Sequence, residues 1–315
     1  MPESDIRTLG LLLIEGFPLM AYASIIEPFR AANALANAPR YRWTHVSVDG
    51  LPARASNGAS IVADQSVEAP LACDTLFVIA GGDPAAFDDA RTLHWLRRLG
   101  RSPVRIAGVS GAPFILARAG LLADHRVTVH WEHVFAFREA FPDIIVEQSL
   151  YIIDRRRMTC AGGTAGLDLA IELIERECGQ ALAARVGEWF IRTAPRQSDL
   201  SQRPSLRARY GVANDHVLKA LAEMEAFVEE PLPAARIAAH AGVSVRQLER
   251  LFRAHLGQST GEMYMAIRLD QALHLLRTTQ LGMTQVAVAC GFQNASHFSR
   301  RFKRRFGHPP SRTQA

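Results

Sequence analysis

Cysteine is scarce in this chain, with four residues in 315. The four stand far apart, at Cys73, Cys160, Cys178 and Cys290, and no C-x-x-C pair occurs. Zinc sites and disulfide frameworks need closely spaced or regularly paired cysteines. We therefore expect reduced, buried thiols, with no disulfide framework, no bound metal and no cofactor.

Long apolar runs are also missing, because no stretch reaches the roughly 18 residues that indicate a transmembrane helix. The first residues, MPESDIRTLGLLLIEGF, place acids before a short apolar run, unlike a secretory signal peptide. We expect a cytoplasmic protein without a membrane partner. The hydrophobic fraction of 48% excludes a disordered chain, and the length favours two domains.

Charge is unevenly distributed along the chain. Residues 1–199 contain 20 Lys and Arg against 23 Asp and Glu, whereas residues 200–315 contain 16 against 8. The net charge of +5 therefore combines a mildly acidic N-terminal part with a strongly basic C-terminal part. A basic part favours a polyanionic partner such as nucleic acid, although an ordinary solvated face has a similar composition.

The N-terminal part alternates between strand-like and helix-like segments. The run 8–14 (TLGLLLI) is apolar throughout, as in a strand buried on both faces. Repeated alternation predicts an α/β domain with a parallel sheet covered by helices. The other predicted strands are 75–79, 105–109, 127–129 and 158–160. The predicted helices are 20–36, 93–99, 112–119, 132–140, 164–178 and 181–192.

Three glycine-containing turns follow predicted strands, with AGGD at 80–83, SG at 110–111 and AGGT at 161–164. Ligands of open α/β sheets bind outside the carboxyl ends of the strands. We therefore expect a small-molecule pocket at these three turns.

A change of composition separates the two parts of the chain. Residues 193–215 lose apolar periodicity and gain Pro, Ser, Gln and Arg, which is typical of an interdomain linker. We predict a ligand-sensing domain over residues 1–192, a linker over 193–215 and an all-α domain over 216–315. The linker and the helix from His216 are expected to carry any signal between the domains.

The all-α part contains a helix-turn-helix pattern at about 234–256. A short helix ends at Gly242, and Ser244 fits the N-cap of a second helix, with Gln247 placed to complete a capping box. One face of the second helix is apolar and the opposite face is basic, as in a recognition helix. The apolar face has Leu248, Leu251 and Phe252, and the basic face has Arg246, Gln247, Arg250 and Arg253.

The pattern recurs at about 284–306, where Gly291 ends a short helix and Asn294 fits the next N-cap. Ser244 and Asn294 are 50 residues apart, and so are several other matching pairs. One constant offset indicates two copies of one unit. Residues 261–278 predict a rigid helix between the copies, which would hold two recognition helices about 34 Å apart in successive major grooves. The other pairs are Leu248 and Phe298, Arg250 and Arg300, Phe252 and Phe302, and Gly257 and Gly307; Phe306 is a further predicted core residue.

Over residues 216–315 the chain resembles the AraC-type DNA-binding domain. The matching motifs are A-x-x-A-G-V-S-x-R-x-L-x-R-x-F and V-A-x-x-C-G-F-x-N-A-S-H-F-S-R-R-F-K-R-R-F-G-x-x-P. The resemblance implies double-stranded DNA as partner, and arginine is suited to guanine because its guanidinium matches O6 and N7. It assigns base contacts to Arg246, Arg250, Ala295, Ser296, His297 and Arg300, phosphate contacts to Lys303 and Arg304, and core positions to Phe292, Phe298 and Phe302. Gln247 and Arg253 complete the predicted DNA-binding set.

Residues 108–112 (GVSGA) place Ser110 at a strand-to-helix turn, which is the layout of a nucleophile elbow. His130 is available as a base if it lies beside Ser110. An elbow of this kind also directs backbone N–H groups at an anion. The residues are therefore compatible with a hydrolase and with a binding pocket.

Residues 6–190 resemble the class I glutamine-amidotransferase-like fold of the PfpI type, a flavodoxin-like arrangement. The matching motifs, in order, are G-F-x-x-M-x-Y, A-G-G-D, F-I-L-A-x-A-G-L-L after the elbow, V-x-H-W and T-C-A-G-G-T-A-G-L-D. The family's enzymes carry a cysteine where this chain has Ser110, and their acid would fall near Pro18 or Leu19. These departures predict no catalytic residues, with Ser110 and His130 as remnants of the elbow.

We expect the pocket to bind a small-molecule effector. Backbone N–H groups of Ser110 and Gly111 would hold a carboxylate, while Trp131 or Tyr22 faces a cation. Trp131 and His130 have ordinary packing roles as their alternative. The combination of the two resemblances matches regulators that respond to arginine or to quaternary-ammonium metabolites such as carnitine and glycine betaine. The predicted ligand-binding residues are Tyr22, Gly81, Gly82, Asp83, Ser110, Gly111, His130, Trp131, Gly162 and Gly163.

These observations favour a sequence-specific transcription regulator, acting as an activator through RNA polymerase and as a homodimer. One alternative is a hydrolase or amidase, with Ser110 as nucleophile, fused to a DNA-binding tail. Another is a constitutive DNA-binding protein whose N-terminal domain only dimerises.

Overall fold

The computed structural model describes residues 6–36, 38–192, 194, 196–279 and 281–313. The chain divides between Gln202 and Arg203 into two compact units. This division lies inside the predicted linker 193–215, in which residues 193 and 195 are outside the described part. The linker prediction was too broad, because residues up to Gln202 pack with the first unit and a short helix, Leu206–Tyr210, forms in the second.

The first unit is built on one large sheet. In the described part of the chain its seven strands are ordered β5-β2-β1-β6-β7-β9-β8, and only β8 runs antiparallel, beside β9. A separate pair, β3 and β4, is antiparallel. The strands are β1 (Arg7–Leu13), β2 (Tyr41–Ser47), β3 (Ala53–Arg54), β4 (Ser60–Ile61), β5 (Gln65–Ser66), β6 (Thr75–Ala80), β7 (Arg105–Ser110), β8 (Tyr151–Asp154) and β9 (Arg157–Cys160).

Helices cover both faces of this sheet, which explains the uninterrupted apolar strands. Leu11 and Leu13 of β1 join a core formed with α1, α5 and α6, whereas Leu12 points into a second core formed with α2, α3 and α4. Strand residues alternate between the faces, so both sets must be apolar. The helices are α1 (Leu19–Leu35), α2 (Ala90–Gly100), α3 (Ala112–Arg118), α4 (Val134–Ala140), α5 (Ala165–Cys178) and α6 (Gln180–Trp189).

One predicted strand in this unit was wrong, and five strands of the described part, β2, β3, β4, β5 and β8, were not predicted. The predicted strand 127–129 is an extended segment that makes one isolated bridge, from Val127 to Val146. Strand β2 was missed, because its sequence YRWTHVS is only partly buried near the edge of the sheet and has no continuous apolar run. The four other predicted strands and the predicted helices are present, with ends that differ by a few residues.

The second unit is entirely helical in its described residues. Its longest helix, α11, spans 19 residues and begins at a capping box in which Ser259 and Glu262 satisfy each other's backbone N–H groups. The helices are α7 (Leu206–Tyr210), α8 (Asp215–Ala226), α9 (Ala234–His240), α10 (Val245–Leu256), α11 (Thr260–Thr278), α12 (Met283–Ala289) and α13 (Ala295–Phe306).

The two predicted helix-turn-helix units are formed by α9–α10 and α12–α13. Ser244 caps α10 by accepting from the Gln247 N–H, and Asn294 caps α13 by accepting from the His297 N–H. Of the two bonds of the capping box predicted at Ser244, only the one from the Gln247 N–H to the Ser244 hydroxyl is formed. Both helices end at a glycine with positive φ, at Gly257 and Gly307. Local hydrogen bonding therefore fixes both ends of each recognition helix.

The repeat is less regular than the predicted offset of 50. Helices α10 and α13 begin 50 residues apart, at Val245 and Ala295, but α9 and α12 begin 49 apart, at Ala234 and Met283. The second turn therefore contains one more residue than the first. Arg268 of α11 spans this longer turn, donating to the carbonyls of Cys290 and Gly291 with its guanidinium 4.3 Å from the Phe292 ring centre.

Aromatic packing forms the centre of the second helix-turn-helix unit. Phe292, Phe298 and Phe302 are buried, and Phe306 is half-buried at the end of the row. Successive ring centres lie 5.2, 5.5 and 4.5 Å apart. In the first helix-turn-helix unit Leu248 and Phe252 occupy the positions of Phe298 and Phe302. The predicted core of both helix-turn-helix units is therefore in place, apart from the partial exposure of Leu251 and Phe306.

Within the described ranges, none of the helices combines the length and the apolar character that a bilayer crossing requires. The same residues contain no cluster of three or more His, Cys, Asp or Glu side chains arranged to hold a metal ion. All four cysteines are free thiols. Cys160 and Cys290 are buried as predicted, but Cys73 and Cys178 are only half-buried.

Candidate nucleic-acid interface and ligand site

The outer face of α10 presents the predicted polar residues to solvent. Arg246, Gln247, Arg250 and Arg253 are exposed, while Leu248 and Phe252 are buried behind them. The helix therefore has one face for the core and one for a partner.

Helix α13 repeats this arrangement. Ser296, Arg300, Lys303 and Arg304 are exposed, while Ala295 and His297 are half-buried close to the N-cap. From Leu248 to Thr260 and from Phe298 to Pro310 the order of buried, half-buried and exposed positions is identical. The two recognition helices thus have the same orientation relative to their own cores.

The arginines of these faces differ in their intramolecular partners. Arg253 is paired with Glu249, at 3.1 Å between Nε and Oε1, and Arg305 makes two contacts to Asp270. Arg250 and Arg300 have no ion-pair or hydrogen-bond partner in the part of the chain that the structure describes, so their guanidinium groups are available to a ligand. Sequence reasoning did not separate these two kinds of arginine.

Arg301, which was not among the predicted site residues, holds the His297 imidazole in one tautomer. Arg301 Nε donates to His297 Nε2 at 3.2 Å, and the imidazole meets the Phe292 ring edge-on at 5.8 Å. Because Nε2 accepts, the neutral ring carries its proton on Nδ1. Nδ1–H is therefore a donor matched to acceptors such as N7 and O6 of guanine.

In the first unit, the three glycine turns lie side by side at the carboxyl ends of β6, β7 and β9. Ala80 pairs with Ser110, and Val109 pairs with Cys160, in parallel register. Gly162 lies so close to Ser110 that a Cβ added to it would be 2.6 Å from the Ser110 Cβ. These turns, residues 80–83, 110–111 and 161–164, are called the candidate ligand site below.

One end of the candidate ligand site, the turn after β6, borders the point where the strand order reverses, between β1 and β6. Strand β1 pairs with β2 on one side and with β6 on the other. The turn after β1 reaches the site, because a Cβ added to Gly81 would be 2.7 Å from the Pro18 Cδ. Ligands of open α/β sheets bind at this kind of reversal.

Ser110 has the backbone of a nucleophile elbow but not the partners of a nucleophile. Its φ is +61°, in the left-handed region, and its side chain is buried. Within the described part of the chain, the hydroxyl makes no hydrogen bond to a side chain or to the backbone. Among the described residues it makes no hydrogen bond to His130, whose Nδ1 accepts from the Glu132 N–H at 3.4 Å and lies 3.5 Å from the Glu132 carboxylate.

One predicted anion contact is already used within the protein. The Gly111 N–H donates to the Ala80 carbonyl at 2.9 Å, so it cannot also hold a carboxylate. A Cβ on Gly111 would meet Pro84 at 2.8 Å, which explains the glycine there by packing. The prediction that the Gly111 N–H binds an anion was therefore wrong.

The two predicted aromatic contacts lie in different surroundings. Trp131 is 37% exposed, and its ring centre lies 5.6 Å from that of His130. The Tyr22 hydroxyl is 2.9 Å from His45 Nε2, and burial raises the pKa of Tyr22 and lowers that of His45. His45 comes from the missed strand β2, so the sequence pattern gave no signal for this pair. Gly82 is exposed and Asp83 half-buried, at the rim of the site.

Known families match both units. A helix-turn-helix domain model matches residues 237–315, and the DJ-1/PfpI family model matches residues 14–176. The fold and the paired recognition helices define a DNA-binding transcription regulator. The chain belongs to the family of HTH-type transcriptional regulators that join a DJ-1/PfpI domain to an AraC-type helix-turn-helix domain.

Relatives of this kind match over nearly the whole chain. The chain is 43% identical over 306 residues to the HTH-type transcriptional regulator CdhR of Pseudomonas aeruginosa, covering 96% of this chain and 90% of CdhR. It is 40% identical over 308 residues to the regulator GlxA of Rhizobium meliloti, covering 97% and 95%. These relatives are named as regulators, which confirms the prediction of a DNA-binding regulator rather than an enzyme.

A solved structure supports the fold. An AraC family transcriptional regulator from Pseudomonas putida superposes with a TM-score of 0.53 at 24% identity, covering 58% of this chain and 99% of that one. Together with the parallel sheet, the DJ-1/PfpI match confirms the predicted α/β fold.

We expect Gly162→Ala to destabilise the first unit more than Gly163→Ala. Both glycines have positive φ, so each alanine costs about 1–2 kcal/mol of backbone strain. Only at position 162 does the new Cβ also collide with Ser110, which adds about 1–3 kcal/mol. Urea denaturation of the full chain measures the difference. Equal losses would contradict the close approach of the two turns.

We expect Arg250→Ala and Arg300→Ala each to weaken binding to DNA selected from a random pool by about 1–3 kcal/mol and to relax preference at one base pair. Lys303→Ala should weaken binding to selected and to random DNA alike. It should also reduce the slope of log K against log salt concentration by about 1. Arg253→Ala, which breaks the pair with Glu249, serves as a control with a smaller loss. Titrations at several salt concentrations measure these effects, and an equal loss on both DNAs for Arg250→Ala would exclude base reading.

We expect Arg301→Ala to change the base preference that depends on His297. Losing the Nε–H donor frees the imidazole to change tautomer, so discrimination at that base pair should fall toward that of His297→Ala. Selection from random DNA, followed by sequencing, gives the preference of each variant. If Arg301→Ala lowers affinity while leaving every base preference intact, the tautomer assignment fails.

Proposed function

We propose that this chain is a cytoplasmic transcription activator that binds a small amino-acid-like or quaternary-ammonium metabolite in its first unit. The observation that carries the proposal is the state of Ser110. Its hydroxyl is unpaired among the described residues, lies on a strained turn between two glycine turns, and is not hydrogen-bonded to His130. Such a group is suited to hold a ligand and not to attack one.

The chemistry of the effector follows from the groups around the site. With the Gly111 N–H occupied, the Ser110 hydroxyl becomes the donor for an effector carboxylate. Trp131, which is 37% exposed, is the predicted aromatic contact for a cationic group. A zwitterion such as arginine, carnitine or glycine betaine has both groups.

Thermal unfolding of the full chain with L-arginine, L-carnitine and glycine betaine tests this proposal. A ligand present at about 100 times its Kd stabilises the native state by about 2.7 kcal/mol. We expect at least one of the three to raise the Tm, and choline, which lacks the carboxylate, to have a smaller effect than glycine betaine.

Ser110→Ala should reduce the Tm shift caused by the ligand. Ser102→Ala is the matched control, because Ser102 precedes β7 and bonds the Leu99 carbonyl at the opposite end of that strand. No shift with any of the three compounds would overturn the proposed ligand class. Hydrolysis of an amide or ester probe that disappears in Ser110→Ala would instead favour the hydrolase alternative.

We further propose that the regulator acts as a homodimer and contacts RNA polymerase. The proposal is supported by the family of transcriptional regulators to which the chain belongs. Sedimentation of the full chain on DNA tests the dimer, and transcription with purified RNA polymerase tests activation.

A further inference from the structure

The segment that leaves α6 is fastened to the first unit. We call residues 192–202 the tether, of which the structure describes 192, 194 and 196–202. The tether begins at a tight turn in which the Arg192 N–H bonds the Gly187 carbonyl and the Ile191 N–H bonds the Glu188 carbonyl. Glycine is favoured at the position of Ile191, whose φ is +56° and whose side chain is 89% exposed. The turn is therefore strained.

A buried carboxylate forms the first anchor of the tether. The Asp168 side chain is 1% exposed and is paired with both Arg192 and Arg196. Arg196 also donates to the carbonyl and the hydroxyl of Thr164, each at 3.0 Å. Thr164 belongs to the turn 161–164 of the candidate ligand site. The first anchor is thus continuous with the turn that packs against Ser110.

The second anchor lies at the other end of the tether. The Leu150 N–H donates to the Ser198 carbonyl at 2.8 Å. Gln202 Nε2 donates to the Thr128 hydroxyl and to the carbonyls of Val129 and Ser149, at 2.8 to 3.1 Å. Val129 directly precedes His130 and Trp131, so this anchor adjoins the predicted aromatic contact of the effector.

The docked tether also carries costs. The Gln202 Oε1 atom is buried without a hydrogen-bond partner, and Ile191 is held in a left-handed conformation. Undocking would free the Gln202 Oε1 atom to bond with water. Such an unfavourable feature destabilises the docked state relative to the undocked one. A ligand therefore needs a smaller difference in affinity between the two states to release the tether.

We propose that effector binding at the candidate ligand site releases the tether, and that this release is the signal passed to the DNA-binding unit. The inference rests on the proposed function. A ligand that moves the turn 161–164 or residues 130–131 displaces groups bonded to Arg196 and Gln202. The ligand then favours the undocked state, because the docked anchors and the bound ligand require different positions of the same turns.

The Leu150 amide reports docking directly, because its hydrogen bond to Ser198 exists only while the tether is docked. The Ala161 amide, which donates to the Leu150 carbonyl within the first unit, is the internal reference. Hydrogen–deuterium exchange of the full chain is measured with whichever of L-arginine, L-carnitine and glycine betaine raises the Tm. We expect exchange at Leu150 to rise about tenfold while Ala161 stays protected. Unchanged or slower exchange at Leu150 would overturn the proposal.

Arg196→Gln tests the anchor without a ligand, and it retains the buried Arg192–Asp168 pair so that the unit still folds. The matched control is Arg176→Gln. It breaks an exposed ion pair to Glu172 on helix α5, the helix that also carries Asp168. We expect Arg196→Gln to speed hydrogen exchange at the Leu150 amide. Because coupling between sites is reciprocal, the same variant should bind the compound about fivefold more tightly or better. A tether with only a structural role would not tighten binding. Gln202→Leu should act in the same direction.

Failure of the proposed function is distinguishable from failure of this inference. If none of the three compounds binds, the ligand class is wrong, but DNA affinity of the full chain still decides the role of the tether. Arg196→Gln and Gln202→Leu should then change affinity for selected DNA severalfold, while Arg176→Gln does not. If the two tether variants bind DNA like the unaltered chain, the tether carries no signal.

Discussion

The close approach of the turn after β9 to the turn after β7 is the contact on which the first unit depends. Gly162 touches Ser110 because parallel register brings neighbouring strand ends to one edge of the sheet. Strands β6, β7 and β9, whose ends carry the three turns, are buried on both faces, as is usual for the central strands of a parallel sheet covered by helices. The same contact holds Ser110 on its left-handed turn and sets the position of Thr164, from which α5 and the anchor at Asp168 begin.

In the second unit the controlling elements are local. Ser244 and Asn294 begin the recognition helices, Gly257 and Gly307 end them, and buried aromatic or aliphatic side chains orient them. Helices α10 and α13 consequently expose the same positions around the helix axis. Helix α11 joins the two helix-turn-helix units, and its Arg268 bonds the turn of the second of them. The buried core residues and the exposed polar residues therefore lie on opposite faces of the same two helices.

Much of this architecture was predictable because its signals are local in sequence. The apolar run of β1, the caps at Ser244 and Asn294, and the glycine turns each depend on neighbouring residues. What sequence could not predict depends on contacts between distant residues or on a single hydrogen bond. Strand β2 is stabilised by β1 and not by its own pattern, and the Gly111 N–H is taken by Ala80, 31 positions earlier. The pairing of Arg253 with Glu249, and of Arg301 with His297, likewise required side-chain geometry.

The extra residue in the second turn has a consequence for the shape of the target. The two recognition faces carry different side chains, Arg246 and Arg250 in one and His297 and Arg300 in the other, behind turns of unequal length. A single chain therefore has no internal twofold symmetry to match a palindrome. The DNA segment that it covers must have a direction, with one end distinguishable from the other. Two such chains can be arranged head to tail or head to head, and the orientation of the two segments on the DNA records which arrangement occurs.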